Sequence, residues 1–177
     1  MKRIAYLLVA AAALACVAAA TTPGTPLADE PGAAISEGKL PAGYRDWRLI
    51  SVAHEEGELN DIRAVLGNDA AIKAYREGRE KTVFPDGAVI ARLAWRHTPS
   101  EENNKIFGRA QSFIAGPPVN GVQFMVKDTK KFASTGGWAF AQFDGAKPVV
   151  DTTALHNCFT CHARLKDRDL VFTRYAP

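Results

Sequence analysis

From Tyr44 onward the chain alternates apolar and polar residues with a period of two, the pattern of β-strands. In "YRDWRLISVA", Trp47, Leu49 and Ser51 alternate with Arg48, Ile50 and Val52, which predicts a strand partly covered on both faces. "FPDGAVIARLAWR" gives a turn at Pro85–Gly87 and then a strand. Val89, Leu93 and Trp95 share one of its faces, and Ile90, Arg92 and Ala94 the other. "GVQFMVKD" sets Val122, Phe124 and Val126 against Gln123 and Met125, and "GGWAFAQFDG" is a third alternating stretch bounded by glycines. "NDAAIKAYREG" follows a different period: Asn68 caps a short helix, Ile72 and Tyr75 share a face, and Gly78 ends it. Strands separated by Gly/Pro turns predict an α+β, β-rich fold, a largely antiparallel sheet with short helices packing on it. "DTTALHN" adds a short helix near the C-terminus that presents the cysteines after it.

The start of the chain belongs to a different regime. Lys2 and Arg3 precede an apolar run from Ile4 to Ala20, and "AAATT" offers a cleavage point after Ala20. A basic start, an apolar centre and a small-residue end predict a signal peptide over residues 1–20 and export to the periplasm. A retained membrane anchor is the poorer account, because so short an alanine-rich run spans a bilayer badly. Cys16 raises a third alternative, lipid modification, although the residues before it fit such a site imperfectly. Residues 21–39, rich in Pro and Gly, predict a flexible leader, and residues 40–177 a single folded domain.

Losing Lys2 and Arg3 would take two charges from a formal net of +3. The small excess left argues against nucleic acid or an acidic membrane as partner. With 47% hydrophobic residues, the chain has enough apolar material for a packed core.

The chemistry concentrates in "HNCFTCHARLKD", residues 156–167. A closed zinc site needs four ligands, usually from paired clusters, and Cys158, Cys161 and His162 have no second cysteine pair once Cys16 has left. A thioredoxin-like dithiol belongs at a helix start in a βαβ setting, not near the end of a β-rich chain. A plain disulfide suits an exported protein but leaves His162 unexplained. C-x-x-C-H is the attachment signature of c-type haem. The two thiols bond the porphyrin, and the next residue is then held beneath the iron as proximal ligand. One such motif predicts one covalently attached haem c, with Cys158 and Cys161 as anchors and His162 on the metal.

The opposite face of the iron decides the activity. A strong sixth ligand makes an electron carrier; an open position takes a small molecule. Met125, His54 and His97 are the candidates for a sixth ligand, His156 lying too near the attachment site to reach over the ring. Met125 more simply fills a gap in the core. His54 and His97 stand where strands run into polar loops, which suits solvated side chains.

The ordered set "LPAGYRDWRLI", "NDIRAVLGN", "FPDGAVIARLAW", "NGVQFMVKD", "GGWAFAQF", "CFTCH" and "DLVFTRY" resembles the cytochrome P460 family, which includes the cytochromes c-prime-beta, from about Leu40 to Tyr175. The resemblance implies a β-rich fold, a five-coordinate c-type haem with an open distal site, and a homodimer. Members that oxidise hydroxylamine carry a lysine cross-linked to the haem and a distal glutamate. By the same resemblance Arg92 stands at the lysine's position and Gln123 at the glutamate's, while Arg63 matches an arginine of those members. A guanidinium stays protonated and is a weak nucleophile, and an amide accepts no proton at neutral pH.

The first functional expectation is therefore an exported mono-haem cytochrome whose open iron binds a small gaseous or nitrogen-oxide ligand such as nitric oxide. Arg92, Gln123 and Arg63 are its distal-pocket candidates. One alternative is a hydroxylamine or nitrogen-oxide oxidoreductase that passes electrons to a partner cytochrome. The other is a simple electron-transfer cytochrome.

Overall fold

One antiparallel sheet organises the chain, its six strands following one another in sequence order, each hydrogen-bonded to the next. The strands are β1 (Arg48–Glu55), β2 (Asp61–Gly67), β3 (Val89–Pro99), β4 (Phe113–Lys127), β5 (Trp138–Asp144) and β6 (Lys147–Pro148). Among the described residues four α-helices accompany them: α1 (Pro31–Ser36), α2 (Asp69–Gly78), α3 (Glu101–Phe107) and α4 (Thr152–His162). This is a computed structural model and describes residues 31–78 and 81–176. The expected signal peptide, residues 1–20, and Cys16 lie outside the described residues.

The sheet has an apolar cluster on each face, and the period-two pattern decides which residue joins which. Val89, Ala91 and Leu93 of β3 and Val122, Phe124 and Val126 of β4 pack together on one face. Tyr44 and Trp47 close on Phe124 there, edge to face, with ring centroids 5.5 and 6.3 Å away. Ile35 of α1 is buried in the same cluster. Within the stretch expected as a leader, residues 31–36 form this helix, and its one large apolar residue is held by the core. Residues 21–30 lie outside the described residues.

The second face carries Ile90, Met125 and Trp138, covered by α2 and by the C-terminal segment after α4. The start of α2 is fixed by Asn68, whose side-chain oxygen accepts from Ala71 N (3.1 Å) and Val89 N (3.0 Å). Its amide donates to Gly87 O (2.8 Å), so one capping residue joins the helix to the Pro85–Gly87 turn. Ile72 and Tyr75 are buried, as their three-residue spacing requires. The tail is tied down over this face: Tyr75 Oη donates to Thr173 O (3.0 Å) and Ala176 N to Ile50 O (2.9 Å).

Two strands depart from expectation for physical reasons. β1 is an edge strand with a register shift between Leu49 and Ser51, so Ile50 alone of its side chains is buried. Tyr44–Asp46, expected at the start of that strand, is a 3-10 turn. β4 begins earlier than expected, at Phe113, and contains Pro117 and Pro118. Proline is tolerated there because β5 pairs with residues 122–127 only, leaving the first half of β4 an open edge.

At Asn120 and Gly121, both with φ +58°, β4 leaves this arm and enters the sheet. A Cβ on Gly121 would collide with the Phe143 carbonyl of the neighbouring strand. Gly121→Ala is expected to lower stability by more than the ~1–2 kcal/mol of a left-handed backbone alone. A depressed thermal midpoint with unchanged covalent composition would bear this out.

Candidate functional site

Alternation along three strands brings polar and apolar side chains of the second face into one wall. Ile90, Met125 and Phe140 stand in register across β3, β4 and β5, and Arg92, Gln123 and Gln142 form the next row. Val65 continues that second row on β2, and Arg63 follows two residues before it on the same face. This wall and α4 enclose a cavity of about 500 Å³ whose lining includes Cys158, Cys161 and His162. A space of ~300–1,000 Å³ with mostly apolar walls and a few convergent polar groups is typical of a small-molecule or cofactor site.

α4 presents the motif. Cys158 and Cys161, three residues apart on a helix, share one face, and both are free thiols. Phe159 points instead into the core, 6.5 Å from the ring of Phe140, and anchors the helix. Burial pushes the Cys158 thiol above its ordinary pKa, so it stays protonated near neutrality. Among the described residues no three His, Cys, Asp or Glu side chains converge as a metal cage.

His162 closes the helix and is held on three sides. Phe140 meets its ring at 5.0 Å and Phe172 at 4.9 Å, both edge to face. Its Nδ1 lies 2.7 Å from the carbonyl oxygen of Leu170. A carbonyl accepts and never donates, so Nδ1 carries the proton and Nε2 keeps its lone pair. Burial pulls the imidazole below its ordinary pKa, the Leu170 bond acting in the opposite direction, which favours the neutral form a metal binds.

The polar part of the wall is a continuous chain of hydrogen bonds. Asp61, fully buried, accepts from Arg63 Nε (2.8 Å) and from Arg92 Nη2 (2.7 Å). Arg92 Nη1 donates to Gln123 Oε1 (2.8 Å), and Gln123 Nε2 donates to Gln142 Oε1 (2.9 Å). Glu55 adds a second carboxylate 3.3 Å from Arg63. Burial first, then the charge of Arg63, lowers the Arg92 pKa, but a guanidinium so placed remains a cation.

Each expected site residue can now be located. Cys158, Cys161, His162, Arg92, Gln123 and Arg63 all line the one cavity. Met125 lines it too and is also packed into the core cluster. His54 and His97 lie elsewhere, near the ends of β1 and β3, His54 exposed and His97 half-buried, their ring centroids 3.9 Å apart and the rings tilted by 38°. His156 is exposed on α4. Sequence reasoning missed Asp61 and Gln142. "NDIRAV" held the signal for Asp61, because residues two apart on a strand share a face, so the carboxylate had to stand beside Arg63. The Leu170 carbonyl gave no signal, being backbone.

The family model described as Cytochrome P460 matches residues 41–173, which takes in the sheet, α4 and most of the tail. No curated relative matches the chain.

The shared carboxylate yields a prediction. Asp61→Ala leaves two part-buried guanidiniums without their common partner, and stability is expected to fall by about 3–5 kcal/mol. Chemical denaturation measures this, and Asp61→Asn should recover only part of the loss.

Proposed function

This chain belongs to the cytochrome P460 family, and from that premise we propose that it is an exported mono-haem c-type cytochrome. In this reading Cys158 and Cys161 hold the porphyrin through thioether bonds, and His162 gives Nε2 to the iron. The observation that carries it is the His162 Nδ1 contact with Leu170 O, which leaves the other ring nitrogen its lone pair for coordination. The donor set suits the group as well: two unpaired thiols and a neutral imidazole line a largely apolar cavity.

Bound there, haem would supply an iron able to take a small ligand such as nitric oxide or to exchange one electron. The residues of this chain do the rest. Phe140 and Phe172 hold the His162 ring between them, edge to face. Arg92 Nη1 and Nη2 and Gln123 Nε2 each carry a second N–H besides the bonded one, a donor for a bound diatomic or nitrogen oxide, and neither side chain takes up a proton at neutral pH. Binding of such a ligand is therefore favoured over multi-electron oxidation.

Two observations set this reading ahead of its alternatives. Arg92 already has both terminal nitrogens engaged, with Asp61 and Gln123, so the position a haem-linked lysine would fill holds a committed cation instead. That speaks against hydroxylamine oxidation with electrons passed to a partner cytochrome. Met125 is packed among core residues with 9% exposure, which suits a filler better than the sulfur ligand of an electron shuttle. Delivery to the periplasm follows from the basic and apolar start of the chain. A homodimer is part of the same proposal. Its support is the apolar surface of Ile106, Phe107, Phe113 and Ile114, exposed on α3 and the open arm of β4.

Spectra of the oxidised and reduced protein test the reading. An ordinary c-type Soret band with high-spin features is expected, without the far-red shift of a cross-linked ring. His162→Ala should lose the axial bond yet stay coloured through acid-acetone extraction; an unaltered spectrum would remove His162 from the iron. Gln123→Leu should weaken nitric oxide binding by roughly three- to tenfold, the equivalent of about one hydrogen bond. Titration of the reduced protein reads that change.

A further inference from the structure

The turn after α4 is unusual in a way its sequence does not announce. Asp169 (φ +46°) and Leu170 (φ +62°) are consecutive non-glycine residues in the left-handed region. A branched side chain such as Leu is disfavoured there, and strained backbone of this kind persists only where its surroundings over-determine it.

Those surroundings are specific. Lys127, on β4 and 4% exposed, donates to Asp169 Oδ1 (2.6 Å) and to Gly136 O (3.2 Å), and its ammonium stands 4.9 Å from the Trp138 ring centroid. Asp169 Oδ2 accepts from Phe84 N (2.9 Å), and Asp169 O accepts from Trp138 Nε1 (2.9 Å). Leu170 N closes the turn on Leu165 O (2.9 Å), and the Leu170 side chain is buried in the core. Four elements of the fold thus hold two residues whose one outward product is a carbonyl 2.7 Å from His162 Nδ1.

We propose that the buried Lys127–Asp169 pair, with Trp138, is a positioning device for the proximal histidine: it pins the strained turn so that the Leu170 carbonyl sets the donor strength of His162. The inference rests on the reading of His162 as the axial ligand. A short, well-directed Nδ1–H···O bond shifts electron density toward Nε2 and makes it a stronger ligand. A stronger donor favours ferric over ferrous iron. Releasing the turn therefore weakens the axial bond and raises the reduction potential, without touching any atom of the pocket. An ion pair kept only for stability does neither, and a buried pair is in any case a poor stabiliser compared with packed apolar residues.

Resonance Raman of the ferrous protein, together with a redox titration, tests this. In Asp169→Asn the iron–histidine stretching band is expected to move to lower frequency and the midpoint potential to rise. Trp138→Phe keeps an aromatic ring in the core, loses the indole N–H that reaches the Asp169 carbonyl (2.9 Å) and its Oδ1 (3.3 Å), and should move both in the same direction by less. Lys166→Ala, at an exposed residue of the same loop, should leave both unchanged. The proposal is overturned if folded Asp169→Asn and Trp138→Phe proteins keep the wild-type band and potential while melting at lower temperature. It is equally overturned if Lys166→Ala shifts them as much. Absence of any iron–histidine band from the wild-type protein is a different result, and contradicts the assignment of His162 itself.

Discussion

A backbone carbonyl that can only accept a hydrogen bond sets the state of the imidazole that lines this cavity. By taking the proton of His162 Nδ1, Leu170 O fixes the tautomer, the ring plane and the direction in which Nε2 presents its lone pair. The rest of the structure serves to place that imidazole and the two thiols of α4 against one wall of a sheet. The tail that carries Leu170 is bound to α2 through Tyr75 and to β1 through Ile50, so the elements covering the second face also close the site.

The sheet divides its labour by face. Leu93, Val122 and Phe124 make an ordinary apolar core with the N-terminal segment. Their neighbours in sequence, Arg92, Gln123 and Met125, fall on the other side and line the cavity. Period-two geometry thus converts a single run of residues into packing on one side and chemistry on the other. The chain of bonds from Asp61 to Gln142 is possible because registers across β2 to β5 align its members within reach. With no buried side-chain polar atom left unpartnered among the described residues, this polar wall is firmly held rather than adaptable.

How far the sequence disclosed this varied with the physics of each element. β3, the second half of β4 and β5 were legible, with their faces, because one side of each is uniformly apolar. α2 was legible from its cap and from the spacing of Ile72 and Tyr75. β2 was not recognised as a strand, because Asp61 and Arg63 put charges on a face that is buried only through mutual pairing. Pro117 and Pro118 hid the first half of β4, since only an unpaired edge admits them. The cysteines and His162 were legible as a motif. Asp169 and Leu170 were not, because their importance lies in backbone conformation and in contacts from Lys127 and Trp138 far away in sequence.

The central claim is that Cys158 and Cys161 carry a covalently bound haem whose iron His162 holds. Peptide mass spectrometry of protein matured in cells competent for cytochrome c assembly tests it most directly. A denatured digest should contain the Cys158–His162 peptide heavier by one haem, with no haem mass on any peptide containing Arg92. Recovery of that peptide unmodified, with both thiols free to alkylate, would contradict the account.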